Sequence, residues 1–199
     1  MRFQGECAAA LVATALSLVG VSHCVLAADA VAGMQKSQAC IGCHGPGGSS
    51  VNPVVPSLAG QPAQFIATQL VMFREGMRKD VQMSPFAAGL SNADLNNIAA
   101  YFAAQKLTPP TDKADASTTA AGMRLAKQFN CVQCHGPALM GLQHIPRLAG
   151  QQHEYLKIQL RGFKASTRFD MDGQMTSATQ PLSDSDIEIL AKYLAGIEQ

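Results

Sequence analysis

The chain repeats itself, and the repeat sets the size of the unit that has to fold. LAGQPAQFIATQLVMFREG, from Leu58, aligns with LAGQQHEYLKIQLRGFKAS, from Leu148, at an offset of 90. VQMSPFAAGLSNADLNNIAAYFA, from Val81, aligns with GQMTSATQPLSDSDIEILAKYLA, from Gly173, at an offset of 92. Self-similarity over so long a period makes two homologous units, 29–107 and 118–199, joined by a polar, proline-bearing linker, 108–117. A unit of about 80 residues makes only a modest hydrophobic core, so something besides its own side chains is expected to fill it.

A pentapeptide repeated with the units names that filler. Cys40-Ile41-Gly42-Cys43-His44 recurs as Cys131-Val132-Gln133-Cys134-His135, and C-x-x-C-H is the attachment signature of c-type haem. On a helical turn, residues three and four apart share a face. Two thiols can then reach the two vinyl groups of one porphyrin while the next residue turns its imidazole onto the iron. Cys40, Cys43, Cys131 and Cys134 are the expected attachment points of two haem c groups, with His44 and His135 as iron ligands. A zinc ribbon would need a second Cys or His pair at ligand spacing, and neither motif is followed by one. A thioredoxin-like pair belongs in a strand-helix-strand setting, whereas the flanks here carry Ala, Leu, Gln and Lys at helical spacing.

The other face of each iron decides its chemistry. Met83 and Met175 lie 39 and 40 residues beyond His44 and His135, on predicted loops just before the last helix of each unit. A thioether donor favours ferrous iron, raises the potential and closes the coordination sphere. Methionine also serves as core filler, and the chain has nine. Met72, Met77, Met140 and Met171 have no methionine partner across the repeat; Met83 and Met175 do. His144 and His153 have no histidine counterpart in the first unit and are assigned surface or loop roles.

The pattern within each unit is helical throughout. A short helix leads into the Cys motif, a second follows the Leu-Ala-Gly turn, and a third starts at Ser91 or Ser183, where Ser91-x-x-Asp94 and Ser183-x-x-Asp186 fit a capping pattern. Gly33 is expected to let the region of Tyr101 approach closely, and Gly122 that of Tyr193; the alternative is that these glycines only loosen helix starts. Pro56 and Pro146 either brace the carbonyl that accepts the proximal imidazole N–H or are ordinary turn prolines. Arg74, Arg78, Lys79, Arg161, Lys164 and Arg168 could flank a docking face, meet haem propionates, or form a solvated helix face.

The N-terminus reads as an export signal. Arg2 precedes an apolar run from Ala8 to Val21, followed by small residues at Ala27, Ala28 and Ala30, so residues 1–28 are expected to be a cleaved signal peptide. The run is short for a bilayer span; an uncleaved anchor and a lipoprotein signal at Cys24 are the alternatives. Cleavage removes Cys7 and Cys24 and leaves four of the six cysteines, all in the haem motifs. Thioether attachment outside the bacterial cytoplasm agrees with a periplasmic address. A net charge of +1 with no basic block and no Trp gives no support to nucleic-acid binding. No stable transmembrane segment is expected after cleavage, which leaves room for peripheral membrane association.

Taken together, two CxxCH units, each followed by P-x-LAGQ, a helix with Phe or Tyr and Gln-Leu, then QM and LS-x-x-D, resemble the di-haem cytochrome c4 family. The resemblance covers nearly the whole mature chain and implies an all-α protein of two tandem class I cytochrome c domains. It further implies an electron carrier, not an enzyme, between the quinol-oxidising part of a respiratory chain and a terminal oxidase or reductase. The second haem loop, GPALMGLQHIPRLAG, departs from its counterpart by one missing residue. Two other readings share the motifs. One is the di-haem subunit of a periplasmic flavocytochrome dehydrogenase, for example a sulfide-oxidising one. The other is a di-haem peroxidase, which needs an opening iron that paired methionines do not offer.

Overall fold

The computed structural model describes residues 28–108 and 113–198. The predicted signal peptide, apart from Ala28, and residues 109–112 of the linker lie outside the described residues. In the first unit, α1 (Ala30–Lys36) and α2 (Gln38–His44) are followed by a short 3-10 turn, then α3 (Ala63–Arg74), α4 (Met83–Ala88) and α5 (Asn92–Ala103). The second unit repeats the order with α6 (Ala116–Gln128), α7 (Cys131–His135), α8 (His153–Lys164), α9 (Gln174–Thr179) and α10 (Asp184–Ala195). There is no strand among the described residues; a single antiparallel bridge, Leu142 with Ile145, pins the loop after the second Cys motif.

Local chemistry explains where these helices start. Ser91 and Ser183 each accept the N–H of the residue three positions on, while Asp94 and Asp186 reach back to the serine N–H, so both predicted capping boxes form. Asp115 accepts the Thr118 N–H and starts α6 at Ala116, two residues earlier than the repeat boundary suggested. The helix leading into each Cys motif is interrupted, by Ser37 in the first unit and by Phe129 and left-handed Asn130 in the second. Each motif therefore sits on its own short helix.

Packing follows the apolar period of the last helices. Leu95, Ile98, Ala99 and Phe102 of α5 are buried against Ile66 and Leu70 of α3. In the second unit Ile187, Leu190, Ala191 and Leu194 of α10 divide between two clusters, with Ala126 of α6 in one and Leu156 of α8 in the other. Burying each large apolar side chain contributes about 1.5–3 kcal/mol. The first and last helices cross at the predicted glycines. A Cβ on Gly33 would stand 1.9 Å from the Asn97 carbonyl oxygen, and one on Gly122 would stand 2.2 Å from the Tyr193 Cβ. Close approach, not loosening of a helix start, is what these two glycines supply.

The two units meet through their Leu-Ala-Gly-Gln turns, and the contact is reciprocal. Gln61 accepts the Arg147 N–H at 3.0 Å and donates to the Arg147 carbonyl at 3.0 Å. Gln151 accepts the Ser57 N–H at 2.8 Å and donates to the Ser57 carbonyl at 2.9 Å. Ser57 and Arg147 are the equivalent residues that follow Pro56 and Pro146, so the pairing has a local two-fold character. Arg147 adds a further staple: its fully buried guanidinium donates to the Ala59 carbonyl at 2.9 Å and to that of Ala149. Tyr155 N–H to the Pro53 carbonyl, 2.9 Å, extends the seam.

Candidate haem sites

Each Cys motif presents its residues differently to the core and to solvent. Cys40 and Cys131 are half-buried, Cys43 and Cys134 are exposed, and none of the four is in a disulfide. Cys40 packs on the first-unit core and Cys131 on both clusters of the second. His44 and His135 are 5% and 4% exposed, so their partners inside the protein determine which ring nitrogen is available. The Nδ1 of His44 lies 2.8 Å from the Pro56 carbonyl oxygen, and that of His135 lies 2.8 Å from the Pro146 carbonyl oxygen. A carbonyl only accepts, so Nδ1 carries the proton and Nε2 keeps a lone pair for a metal. Burial pushes both imidazoles down from their usual pKa against the opposing effect of these bonds, which favours the neutral form that ligation requires. The bracing role is thus the one the two prolines fill.

The methionines stand at equivalent places, but not on loops as expected. Met83 is the first residue of α4 and Met175 the second residue of α9. Both are half-buried, and Met83 packs on the first-unit core. Each is fixed through its backbone by an aspartate: Met83 N–H donates to Asp80 Oδ1 at 2.8 Å, and Met175 N–H to Asp170 Oδ2 at 2.7 Å. Asp80 and Asp170 match at an offset of 90. The repeat carries that signal as a matched pair of aspartates just ahead of the two methionines.

Among the remaining candidates, Met72 is buried in α3, whereas Met77 lies beyond the end of that helix and is half-exposed. His144 is exposed, and His153 pairs with Glu188 at the start of α8. Neither is hydrogen-bonded or ion-paired to a Cys motif. Among the described residues no group of three or more His, Cys, Asp or Glu could hold a metal ion.

The basic residues do not form one solvated face. Lys79 and Arg161 are exposed, but Arg78 and Arg168, equivalent across the repeat, turn inward. Arg78 donates to Gln69 at 2.6 Å, to Gln159 at 3.2 Å and to the Tyr155 hydroxyl at 3.3 Å. Arg168 donates to Gln159, and the two guanidiniums lie over the rings of Phe73 and Phe163 at 4.6 and 4.4 Å. Burial lowers Arg168 to about 10, which leaves it cationic at neutral pH. Burial alone would raise the Tyr155 phenol, yet the two arginines outweigh it and hold the phenol below its usual value.

These features test whether haem fits. The Nε atoms of Arg147 and Arg168 are buried without a partner, and neither Arg78 nor Arg168 has an ion pair among the described residues. Unpaired buried cations favour an anionic group, and haem carries two carboxylates. Half-exposed thiol pairs, a neutral imidazole with Nε2 free, and a half-buried thioether complete a donor set of the kind a c-type haem requires. Cys40, Cys43, His44 and Met83 would hold one such group and Cys131, Cys134, His135 and Met175 the other. When bound, it supplies a one-electron Fe(III)/Fe(II) couple.

An all-helical pair of units, each with its own Cys-Cys-His turn and braced histidine, defines a two-domain c-type cytochrome. Residues 27–102 match the family model for cytochrome c oxidase, cbb3-type, subunit III, and residues 119–198 match that for cytochrome c. Cytochrome c4 from Thiocapsa roseopersicina is 37% identical over 86% of this chain and 94% of its own length. The thiosulfate dehydrogenase electron acceptor of Thiomonas intermedia is 33% identical over 91% of this chain and 88% of its own. The reduced recombinant cytochrome c4 of Pseudomonas stutzeri superposes with a TM-score of 0.80 at 32% identity, covering 86% of this chain and all of that one. The chain belongs to the cytochrome c4 family, and its function is di-haem electron transfer with two covalently bound haem c groups.

Proposed function

We propose that this protein is a periplasmic electron carrier whose irons are ligated by His44 and Met83 in the first unit and by His135 and Met175 in the second. Cys40, Cys43, Cys131 and Cys134 form the thioethers. Residues 1–28 are removed on export, and 29–107 and 118–199 act as the two haem domains on either side of the 108–117 linker. The observation that carries the reading is the matched placement of each methionine on an aspartate-anchored short helix, opposite in role to a histidine whose Nε2 is left free by a proline carbonyl. Two strong ligands on each iron favour electron movement over substrate binding, so no catalytic residue is assigned. The electron donor is the quinol-oxidising part of a respiratory chain and the acceptor a terminal oxidase or reductase. No helix among the described residues is long and apolar enough to cross a membrane, which is compatible with a carrier that visits membrane complexes peripherally.

A second reading, electron acceptor of a periplasmic dehydrogenase, is favoured by the 33% identity to the thiosulfate dehydrogenase electron acceptor. Mixing the oxidised protein with each candidate donor separates the two by which one reduces it rapidly. Ligation is tested by substitution. Met83→Ala should remove about half of the far-red sulfur-to-iron band, open the first haem to carbon monoxide and lower its potential, while the second unit is nearly unchanged. Met175→Ala should do the reverse. An unaltered band in both variants, or loss of the band on Met77→Ala or Met171→Ala instead, refutes the assignment; rapid peroxide turnover by the unmodified protein refutes the carrier role.

A further inference from the structure

The reciprocal glutamine clamp touches the same two peptide groups that hold the histidines. The Pro146 carbonyl accepts from His135 Nδ1, and the N–H of that same peptide unit, on Arg147, donates to Gln61 Oε1 at 3.0 Å. In mirror fashion the Pro56 carbonyl accepts from His44 Nδ1, and the N–H of its peptide, on Ser57, donates to Gln151 Oε1 at 2.8 Å. Each side-chain amide is oriented unambiguously, because its NH2 donates to the carbonyl of the residue whose N–H it accepts. Ser57, Gln61, Arg147 and Gln151 are all 3% exposed or less, so water does not compete for these bonds.

An amide whose N–H is engaged carries more negative charge on its oxygen, and bonds in such a chain strengthen one another by about 10–30% each. A stronger pull on Nδ1–H makes the imidazole a better donor at Nε2 and favours ferric iron. We infer that Gln61 and Gln151 are crossed positioning residues: Gln61, in the first unit, sets the ligand strength of His135 in the second, and Gln151, in the second, sets that of His44 in the first. The inference rests on the proposed His/Met ligation. It makes the domain seam an electronic element as well as a mechanical one, since parting the units would weaken both histidine bonds at once. The two arms differ in one respect: Gln151 Oε1 also accepts the Gln152 N–H at 2.9 Å, so its acceptance is shared while that of Gln61 is not.

The test is redox titration of the di-haem protein carrying Gln61→Met or Gln151→Met, with each step assigned to its haem by NMR. Gln61→Met should raise the potential of the His135 haem, changing its ferric-to-ferrous equilibrium about threefold, or ~28 mV for a one-electron couple, with a clearly smaller shift at the His44 haem. Gln151→Met should act on the His44 haem and, because its bond is shared, by a smaller amount. A larger shift in the substituted unit's own haem, equal shifts in both, or none overturns the crossed role. A measurement on the unmodified protein guards against variants that fail to assemble: the Ser57 and Arg147 amide hydrogens should exchange with solvent as slowly as those of the core helices. Exchange at loop rates overturns the clamp in solution. If the unmodified protein lacks the far-red band, the ligation reading falls and the inference with it; a normal band with uncrossed shifts overturns the inference alone.

Discussion

Adding one methyl group at Gly122 should cost the second unit more than any helix preference returns. The new Cβ would lie 2.2 Å from Tyr193 Cβ and 2.4 Å from its Cγ, against the 3.5–4.0 Å at which carbon atoms rest in contact. Those atoms are tied directly to the α10 backbone and cannot swing aside as the tip of a long chain could. The helices must part, and overpacking of this kind costs typically about 1–3 kcal/mol, here at the upper end or beyond because the overlap exceeds 1 Å. Against that, Ala in place of Gly inside a helix contributes about 0.8–1 kcal/mol. The net loss is about 2 kcal/mol, which for a unit of this size lowers Tm by about 8–16 °C. Gly33→Ala should behave alike, since its nearest neighbour is the Asn97 carbonyl oxygen at 1.9 Å. Gly89→Ala is the control: it has φ −93°, ψ 3° and nothing within 4 Å of its Cβ position, so a change within about 0.5 kcal/mol is expected. Thermal unfolding of the haem-loaded proteins, followed by far-UV circular dichroism and the Soret band, makes the comparison. If Gly122→Ala melts no lower than Gly89→Ala, the close crossing of the first and last helices is not what that glycine serves.

Two further outcomes follow from the helix starts. Ser91→Ala and Ser183→Ala each remove a side-chain acceptor and one half of a capping box, so each should cost about 1 kcal/mol in urea unfolding; an effect below about 0.3 kcal/mol at both sites would contradict the capping role. Asp115 is held at about 2 by bonds from the Ser117 hydroxyl and from Thr118. A depressed carboxylate stabilises the fold above its unfolded pKa of about 3.9, and that contribution is lost as pH falls toward 2. The stability gap between the parent and Asp115→Asn should therefore be constant at neutral pH and close between about pH 4 and pH 2. A gap independent of pH throughout would show that the carboxylate charge plays no part.

Much of this molecule was readable along one dimension. Covalent haem attachment depends on residues three and four apart on one helical turn, so Cys40, Cys43 and His44 and their repeats need no distant information. Capping boxes are equally local, and both form where Ser91 and Ser183 stand. The duplication itself multiplied the signal, because chance matches do not recur at a fixed offset. It singled out Met83 and Met175, and it paired Gly33 and Gly122 with the final helix of each unit. What a linear reading could not supply were partnerships whose members lie 86 or 94 residues apart. Gln61 and Gln151 look like turn residues beside a glycine, and only folding brings them onto the opposite unit's backbone. Arg78 and Arg168 read as charges on a helix surface until the fold turns them inward, Arg78 onto Gln69 of α3 and both onto Gln159 of α8. Hydrogen bonding of a backbone amide leaves no mark on residue type, since every residue except proline carries the same N–H. The side chains that make the haem motifs were thus determined by the sequence, whereas the bonds that orient and connect them were decided by tertiary structure.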